Sequence, residues 1–258
     1  DLGAGLCVIA LPLADIGLRG WRAVYIVPLG FLFVAVSLTR HLPESHRFGQ
    51  PHAPAPAWHR NRFLLLAASG FLVNLLVAPS SFFQNRYLKD VRGYSAAKIS
   101  AFVLATNTPG GLGIVAGGRL ADVHGRRRVG AVALVCGAVG NVVMFAVGGP
   151  PMWVAAALGS VVGGAAVPAL GVYGAELFPT GQRGRASGLI SALSLIGSSL
   201  GLLAVGELVD SGRTYGLAML LMGLGPIVVA ALVLALYPET AHRELDDINP
   251  EDRMPPVA

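Results

Sequence analysis

The chain of 258 residues is poor in charge and nearly lacks cysteine. Charged side chains make up 13% of it, against roughly 25% in ordinary soluble domains. This shortage argues against a water-soluble protein. The two cysteines, Cys7 and Cys136, both fall within apolar runs, so we interpret them as small buried apolar residues and expect neither a disulfide nor redox chemistry.

Catalytic and metal-binding motifs are also missing. The sequence has no H-E-x-x-H motif, no Walker loop, no nucleophile elbow around a serine and no paired carboxylates within an apolar run. Four histidines between residues 41 and 59 are five, six and seven residues apart, which matches no compact ligand pattern. We therefore expect no enzyme, no cofactor and no metal site.

Long apolar runs are abundant. Hydrophobic residues make up 54% of the chain, and a bilayer core about 30 Å thick requires about 20 apolar residues per helix. A short run, Leu2–Ile16, opens the chain without an initiator Met or a basic segment, so we expect the N-terminus to be truncated within a helix. The sequence predicts an all-α integral membrane protein. The full-length predicted spans are Arg22–Thr39, Phe63–Phe83, Ile99–Gly117, Val129–Gly148, Met152–Tyr173, Ala186–Gly206 and Tyr215–Tyr237.

Basic residues are divided unevenly between alternate loops. Twelve of the 19 lie on one side of the predicted spans, and the positive-inside rule makes that side, with the C-terminus, cytoplasmic. Because the basic residues lie between helices, we do not interpret the net charge of +5 as a nucleic-acid surface. The cytoplasmic set is Arg40, Arg47, Arg60, Arg62, Arg119, Arg126, Arg127, Arg128, Arg183, Arg185, Arg243 and Arg253.

A polar segment separates two predicted helices from six. It is rich in proline, histidine and arginine, which is typical of a solvated linker. Similar helix ends occur at Pro43-Glu44-Ser45 and Pro238-Glu239-Thr240, and the 195 residues between the two acids enclose six predicted helices. This spacing predicts two halves of six helices. The predicted parts are the last two helices of one half (1–40, the first incomplete), a cytoplasmic linker (41–62), a complete six-helix half (63–240) and a disordered cytoplasmic tail (241–258).

One loop between predicted helices has a specific pattern of glycine and charge. Its sequence is Gly117-Gly118-Arg119-Leu120-Ala121-Asp122-Val123-His124-Gly125-Arg126-Arg127-Arg128. Gly125 permits a tight reversal, and Asp122 and the arginines place opposite charges at the membrane surface. The segment resembles the signature loop G-x-L-A-D-R/K-x-G-R/K-R/K of the major facilitator superfamily, with Val123 replacing a usual basic residue. In that family the loop joins the second and third helices of a half, which implies that about four helices are missing upstream.

A second motif runs from Glu176 to Gly188, ELFPTGQRGRASG. Pro179 ends one helix, and we expect Arg183 to lie within reach of Glu176 across the turn. The segment resembles the E-x-x-P-T-x-x-R-G/A-x-G/A junction of sugar-porter-like, organic-ion and metabolite:proton symporter families. Together with the two similar helix ends, it extends the resemblance over essentially the whole chain.

The resemblance implies two sets of functional residues. In such transporters a network of acids and arginines closes the cytoplasmic side, and the matching gate and motif residues here are Gly118, Asp122, Gly125, Arg126, Arg127, Glu176, Arg183 and Glu239, with Glu44 and Arg47 from the other half. Weaker candidates for substrate contact are Asn74, Asn107, Gln84 and Tyr173. Helix–helix hydrogen bonding is the alternative for Asn74 and Asn107. We expect Asn141, on a helix at the periphery, to be structural.

The resemblance implies a multi-pass plasma-membrane transporter. It would move a small metabolite, sugar or organic ion by alternating access, with a proton as the candidate coupling ion and the lipid bilayer as its surroundings. No acid lies in the middle of a full predicted span, so a coupling carboxylate lies upstream or is absent. A drug efflux carrier of the same fold and a sensor or truncated remnant without transport are the alternatives.

Overall fold

The computed structural model describes residues 21–40, 59–243 and 248–249. Regular structure within these ranges is entirely helical. The chain divides into two units, Asp1–His52 and Ala53–Ala258. In the first unit the described element is α1, Trp21–Thr39, which confirms the helix predicted over Arg22–Thr39.

The second unit contains six helices that are long and apolar enough to cross a membrane. They confirm the six spans predicted from Phe63 onward, and most extend a few residues further because polar residues continue the helices beyond the apolar core. In order, the spans are formed by α2 (Arg60–Asp90), by α3 (Ala96–Asn107) with α4 (Gly110–His124), by α5 (Arg126–Ala146), by α6 (Pro150–Gly164) with the short α7 (Ala166–Gly171) and α8 (Tyr173–Glu176), by α9 (Thr180–Asp210), and by α10 (Tyr215–Leu236).

The second span is kinked near its middle, where the backbone of Thr108 and Pro109 stays in the α-helical region and the span continues from Ala96 to His124. Pro109 has no backbone N–H and cannot continue the hydrogen-bond ladder of α3. A tight turn replaces that ladder: the Gly111 N–H donates to the Thr108 carbonyl over 3.1 Å, and the Leu112 N–H donates to the Pro109 carbonyl over 2.9 Å. Asn107 therefore lies at the end of a helix in the interior of the span.

Close helix contact in the bundle depends on glycine. α9 lies along α2, and a Cβ on Gly197 would lie only 2.4 Å from the Phe71 carbonyl oxygen. One turn further, a Cβ on Gly201 would lie 2.5 Å from the Leu75 carbonyl oxygen. Membrane helices are drawn together by packing rather than by a hydrophobic effect, so such close approach stabilises the bundle.

Two buried aromatic groups lie in two apolar clusters of the bundle. Tyr87 and Tyr215 belong to the first cluster, and their ring centroids are 5.5 Å apart. Tyr173 and Tyr237 belong to the second cluster, and their ring centroids are 4.9 Å apart. Large apolar side chains outside the clusters remain exposed, as Leu112 is at 70%. Contiguous apolar surface of this kind is expected where helices contact lipid.

Part of the C-terminal tail packs against the bundle. Asn249 is fully buried; its side-chain amide donates to the Glu176 carbonyl over 2.6 Å and accepts from Arg62 over 3.2 Å. Arg62 also donates to the Leu177 carbonyl over 3.0 Å. Helix ends leave carbonyls unpaired, and Asn249 and Arg62 donate to the carbonyls of Glu176 and Leu177. These bonds hold Asn249 against the bundle, whereas the sequence predicts a disordered tail over residues 241–258.

Candidate functional site

The turn between α4 and α5 binds a carboxylate. Gly125 has a φ of +91°, a conformation that glycine adopts readily. The N–H groups of Arg126 and Arg127 donate to Glu239 over 2.9 and 3.3 Å, and the N–H of Ala241 donates over 3.2 Å. A Cβ on Gly125 would lie 2.8 Å from Oε2 of Glu239. The carboxylate can therefore approach this closely because residue 125 has no side chain.

The guanidinium of Arg126 connects this turn to two other segments. It forms a hydrogen-bonded ion pair with Glu176 at the end of α8 and donates to the hydroxyl of Thr240 over 2.9 Å. The side chains of Arg126 and Glu176 are each only 16% exposed. Asp122 lies 3.9 Å from Arg126 but is 65% exposed. Arg126–Glu176 is thus the better shielded pair, and such charge-assisted hydrogen bonds are stronger than neutral ones.

Arg127 holds the end of the last helix. Its guanidinium donates to the carbonyls of Val233 and Leu234 in the final turn of α10, where unpaired carbonyls and the helix dipole favour a cation. We call Asp122, Arg126, Arg127, Glu176 and Glu239 the charge cluster. It joins the ends of α4, α5, α8 and α10 at one end of the bundle.

The charge cluster sets the ionisation of Glu239. Burial alone raises the pKa of this carboxyl, but the hydrogen bonds from the N–H groups of Arg126, Ala241 and Arg127, together with the Arg127 charge, outweigh it. The pKa therefore lies below its ordinary value of 4.5. Glu239 is ionised at neutral pH and keeps all its acceptor positions for these N–H groups.

Other predicted gate residues lie outside the charge cluster. Arg183 donates to the Phe178 carbonyl over 3.4 Å, and its buried Nε has no hydrogen-bond partner in the described part of the chain. Among the described residues Glu176 pairs with Arg126 instead, because α8 ends beside the start of α5. A Cβ added at Gly118 would lie 3.8 Å from the side chain of Pro168, which is an ordinary van der Waals distance. The predicted counterparts Glu44 and Arg47 lie outside the described residues.

Tyr173, predicted as a substrate contact, belongs to the surroundings of the charge cluster. It is fully buried, its hydroxyl donates to the Pro238 carbonyl over 3.0 Å, and its ring packs edge-on against Tyr237. These contacts support the segment that carries Glu239, so the structure places Tyr173 with the predicted gate residues.

Polar side chains from four helices line a cavity of about 190 Å³. Gln84 of α2, Asn107 of α3, Asn141 of α5 and Ser160 of α6 share its wall. The Nε2 of Gln84 is buried and has no hydrogen-bond partner among the described residues. A buried donor left unpaired costs about 1–3 kcal/mol. A molecule in the cavity that accepts a hydrogen bond would therefore be stabilised there.

The cavity lies beside the kink in the second span. The hydroxyl of Ser160 meets the backbone carbonyl of Asn107, the last residue of α3, at 3.5 Å. No charged side chain among the described residues lines this cavity, so its chemistry is that of neutral donors and acceptors.

Asn74 does not reach this cavity. Its side chain accepts a hydrogen bond from the Ser198 hydroxyl over 3.3 Å and donates to the Gly70 carbonyl over 2.9 Å. The first bond joins α2 to α9. The structure thus places Gln84 and Asn107 together and gives Asn74 the helix–helix role that was the alternative.

A protein-family model described as Major Facilitator Superfamily matches residues 98–256. The match covers more than half of the chain and includes the whole charge cluster. The chain belongs to the major facilitator superfamily. No curated protein matches the sequence. Major facilitator proteins are membrane transporters and not enzymes, so the chain is a multi-pass membrane protein of a transporter family, and the predicted all-α major-facilitator bundle is confirmed.

Two cavity residues of this major facilitator chain differ from the sequence-based expectation. Asn141, predicted to be structural, lines the cavity with Asn107. An amide is costly within a membrane helix, and this cost is the signal in the sequence that favours a polar environment for Asn141. Ser160 gave no signal, because a serine in a membrane helix usually bonds to its own backbone.

Proposed function

We propose that the protein is a secondary active transporter that moves a small solute, such as a metabolite, sugar or organic ion, by alternating access. The observation that carries this proposal is the unpaired Gln84 amide beside Asn107 and Asn141 in a cavity next to a kinked helix. Unsatisfied buried groups are rare in folded proteins. A solute that completes their hydrogen bonds in one conformation would bind there specifically.

The charge cluster serves as the lock of one side in this proposal. Arg126 holds Glu176 and Glu239 at once, so separation of the helix ends would break several charged hydrogen bonds together. A few such bonds are enough to shift the equilibrium between two conformations whose free energies differ by a few kcal/mol. Gly118, Arg183, Glu44 and Arg47 belong to the proposed lock by resemblance.

We place this end of the bundle in the cytoplasm and the protein in the plasma membrane. The support is the concentration of arginines where α2, α5 and α9 begin and α4 ends, which the positive-inside rule assigns to the inner side. The C-terminus then lies in the cytoplasm. In this proposal residues 1–40 belong to one six-helix half, 41–62 form the linker, 63–240 form the other half and 241–258 form the tail.

Ion coupling, with a proton as the candidate, is part of the proposal. Within the six described spans, acids occur only near the helix ends: Asp90, Asp122, Glu176, Glu207 and Asp210. The proposed coupling group is therefore not a carboxylate in the middle of these spans.

A solute screen tests the proposed function. The purified protein is heated in detergent with a panel of sugars, organic acids, organic cations and amino acids, and stabilising solutes are then assayed for uptake into proteoliposomes with and without a proton gradient. We expect a stabilising solute to be transported, and the gradient to accelerate it. Stabilisation by a solute that is not transported would favour a sensor over a transporter.

A pair of variants on α2 links the screen to the cavity. Gln84→Leu removes the unpaired amide, and Asn85→Leu makes a similar change at an exposed neighbour that does not line the cavity. We expect the solute-dependent stabilisation to disappear in the first variant and persist in the second. Equal loss in both would show that the solute binds elsewhere.

A further inference from the structure

A lateral groove lies between α4 and α5 at the end of the bundle that holds the charge cluster. Both helices pack more extensively on α6 than on each other, which leaves an opening of about 700 Å³ with α6 as its floor. Gly117 and Ala133 are among the small residues that line it. Its remaining wall is almost entirely apolar, including Val132, which is 59% exposed.

Two basic side chains lie at one end of this groove. His124 is the last residue of α4, and Arg128 lies in the first turn of α5. Neither side chain makes an ion pair or hydrogen bond with another described residue. The neighbouring acids are already engaged, since Asp122 and Glu176 pair with Arg126 and Glu239 accepts from backbone N–H groups. This end of the groove is therefore open to an outside anion.

The length of the groove fits one leaflet of a bilayer. Its lining on α4 extends from Gly113 to His124, a rise of about 16 Å for an α-helix. One leaflet contributes about half of a hydrocarbon core that is about 30 Å thick. An acyl chain lying in the groove would thus reach the midplane, while the phosphate attached to it lies level with His124 and Arg128.

We propose that the lateral groove is a binding site for an anionic phospholipid. One acyl chain occupies the apolar groove, and Arg128 and His124 hold the phosphate. The charge of the headgroup selects the ligand: the groove accepts any apolar chain, whereas the two basic side chains favour a lipid with net negative charge. The site is separate from the polar cavity and does not depend on the proposed transport function.

Native mass spectrometry of the purified protein tests this site. The probes are dioleoyl phosphatidylglycerol, which is anionic, and dioleoyl phosphatidylcholine, which has the same chains and no net charge. We expect the protein to retain phosphatidylglycerol preferentially. Arg128→Gln should weaken that binding about five-fold, as expected for one basic residue near a membrane surface. Equal retention of both lipids would overturn the proposal.

Two further variants separate this site from general attraction between the protein and anionic lipid. Arg119→Gln removes the same charge from an exposed position of α4 that does not line the groove, so phosphatidylglycerol binding should stay near the wild-type level. Val132→Phe fills the groove from an exposed position and should reduce binding without altering charge. The proposal fails if Arg119→Gln weakens binding as much as Arg128→Gln, or if Val132→Phe leaves it unchanged.

Discussion

The backbone N–H of Arg126 donates to the carboxylate of Glu239 over 2.9 Å, while its guanidinium pairs with Glu176. One residue thereby connects the start of α5 with the segment after α10 and the end of α8. Arg126 and Glu239 are 113 residues apart. Their contact therefore depends on how three helices pack together, and it is lost when those helix ends separate.

The shielded ion pair should be energetically coupled. A double-mutant cycle of Arg126→Gln and Glu176→Gln, measured by thermal or chemical unfolding in detergent, should give a coupling energy of about 1–3 kcal/mol. The matched control is Arg86–Asp90, a pair at 3.5 Å whose side chains are 57% and 54% exposed, for which we expect about 0.3–0.5 kcal/mol. A coupling no larger than the control would exclude a special role for Arg126–Glu176.

The stability provided by Glu239 should depend on pH. Its pKa is lowered below 4.5 in the folded protein, so its contribution is present above the unfolded value and is lost as the pH falls through the lower folded value. The melting temperature of wild type should exceed that of Glu239→Gln at neutral pH, and the difference should shrink below about pH 4.5.

An exposed acid provides the control for that pH profile. Glu207→Gln removes the same charge near the C-terminal end of α9, where the side chain is exposed. Its melting temperature should follow wild type from neutral to acidic pH. A Glu239→Gln profile parallel to wild type at all pH values would show that the carboxylate charge does not stabilise the turn.

Gly125→Ala should destabilise the protein by about 1–3 kcal/mol, the usual cost of a strained backbone conformation. The new Cβ would occupy a residue with φ of +91° and lie 2.8 Å from Glu239. Gly188→Ala is the control, because it lies within α9 with no atom within 4 Å of a new Cβ; alanine there should be neutral or slightly stabilising. Unfolding in detergent compares the two, and equal stability would contradict the close approach of Glu239.

The helices were largely predictable from the sequence. A bilayer imposes a minimum number of apolar residues, and this requirement located all six spans of the second unit. The kink after Asn107 is not predicted, although Pro109 is visible in the sequence. Membrane helices tolerate proline when neighbours satisfy the freed groups, so the sequence alone does not distinguish a kinked helix from a straight one.

The resemblance groups Arg126, Glu176 and Glu239 as gate residues, and the structure brings these three residues into contact at one end of the bundle. Their individual bonds were not predictable from the sequence. The sequence pointed to Arg183 as the partner of Glu176, because they are close along the chain, whereas α5 supplies Arg126 from 50 residues away. Glu239 accepts mainly from backbone N–H groups, which a sequence pattern does not reveal.

Asn107 and Asn74 should respond differently to replacement by alanine if the polar cavity binds the transported solute. Asn107 lines the cavity, so Asn107→Ala should raise the KM for uptake about ten-fold, the effect of losing about 1.4 kcal/mol of binding, with little change in melting temperature. Asn74 bonds to Ser198 between helices, so Asn74→Ala should lower the melting temperature and leave KM near wild type. Uptake kinetics in proteoliposomes and unfolding in detergent measure the two effects. A raised KM in Asn74→Ala with none in Asn107→Ala would move the solute site from the polar cavity to the interface of α2 and α9.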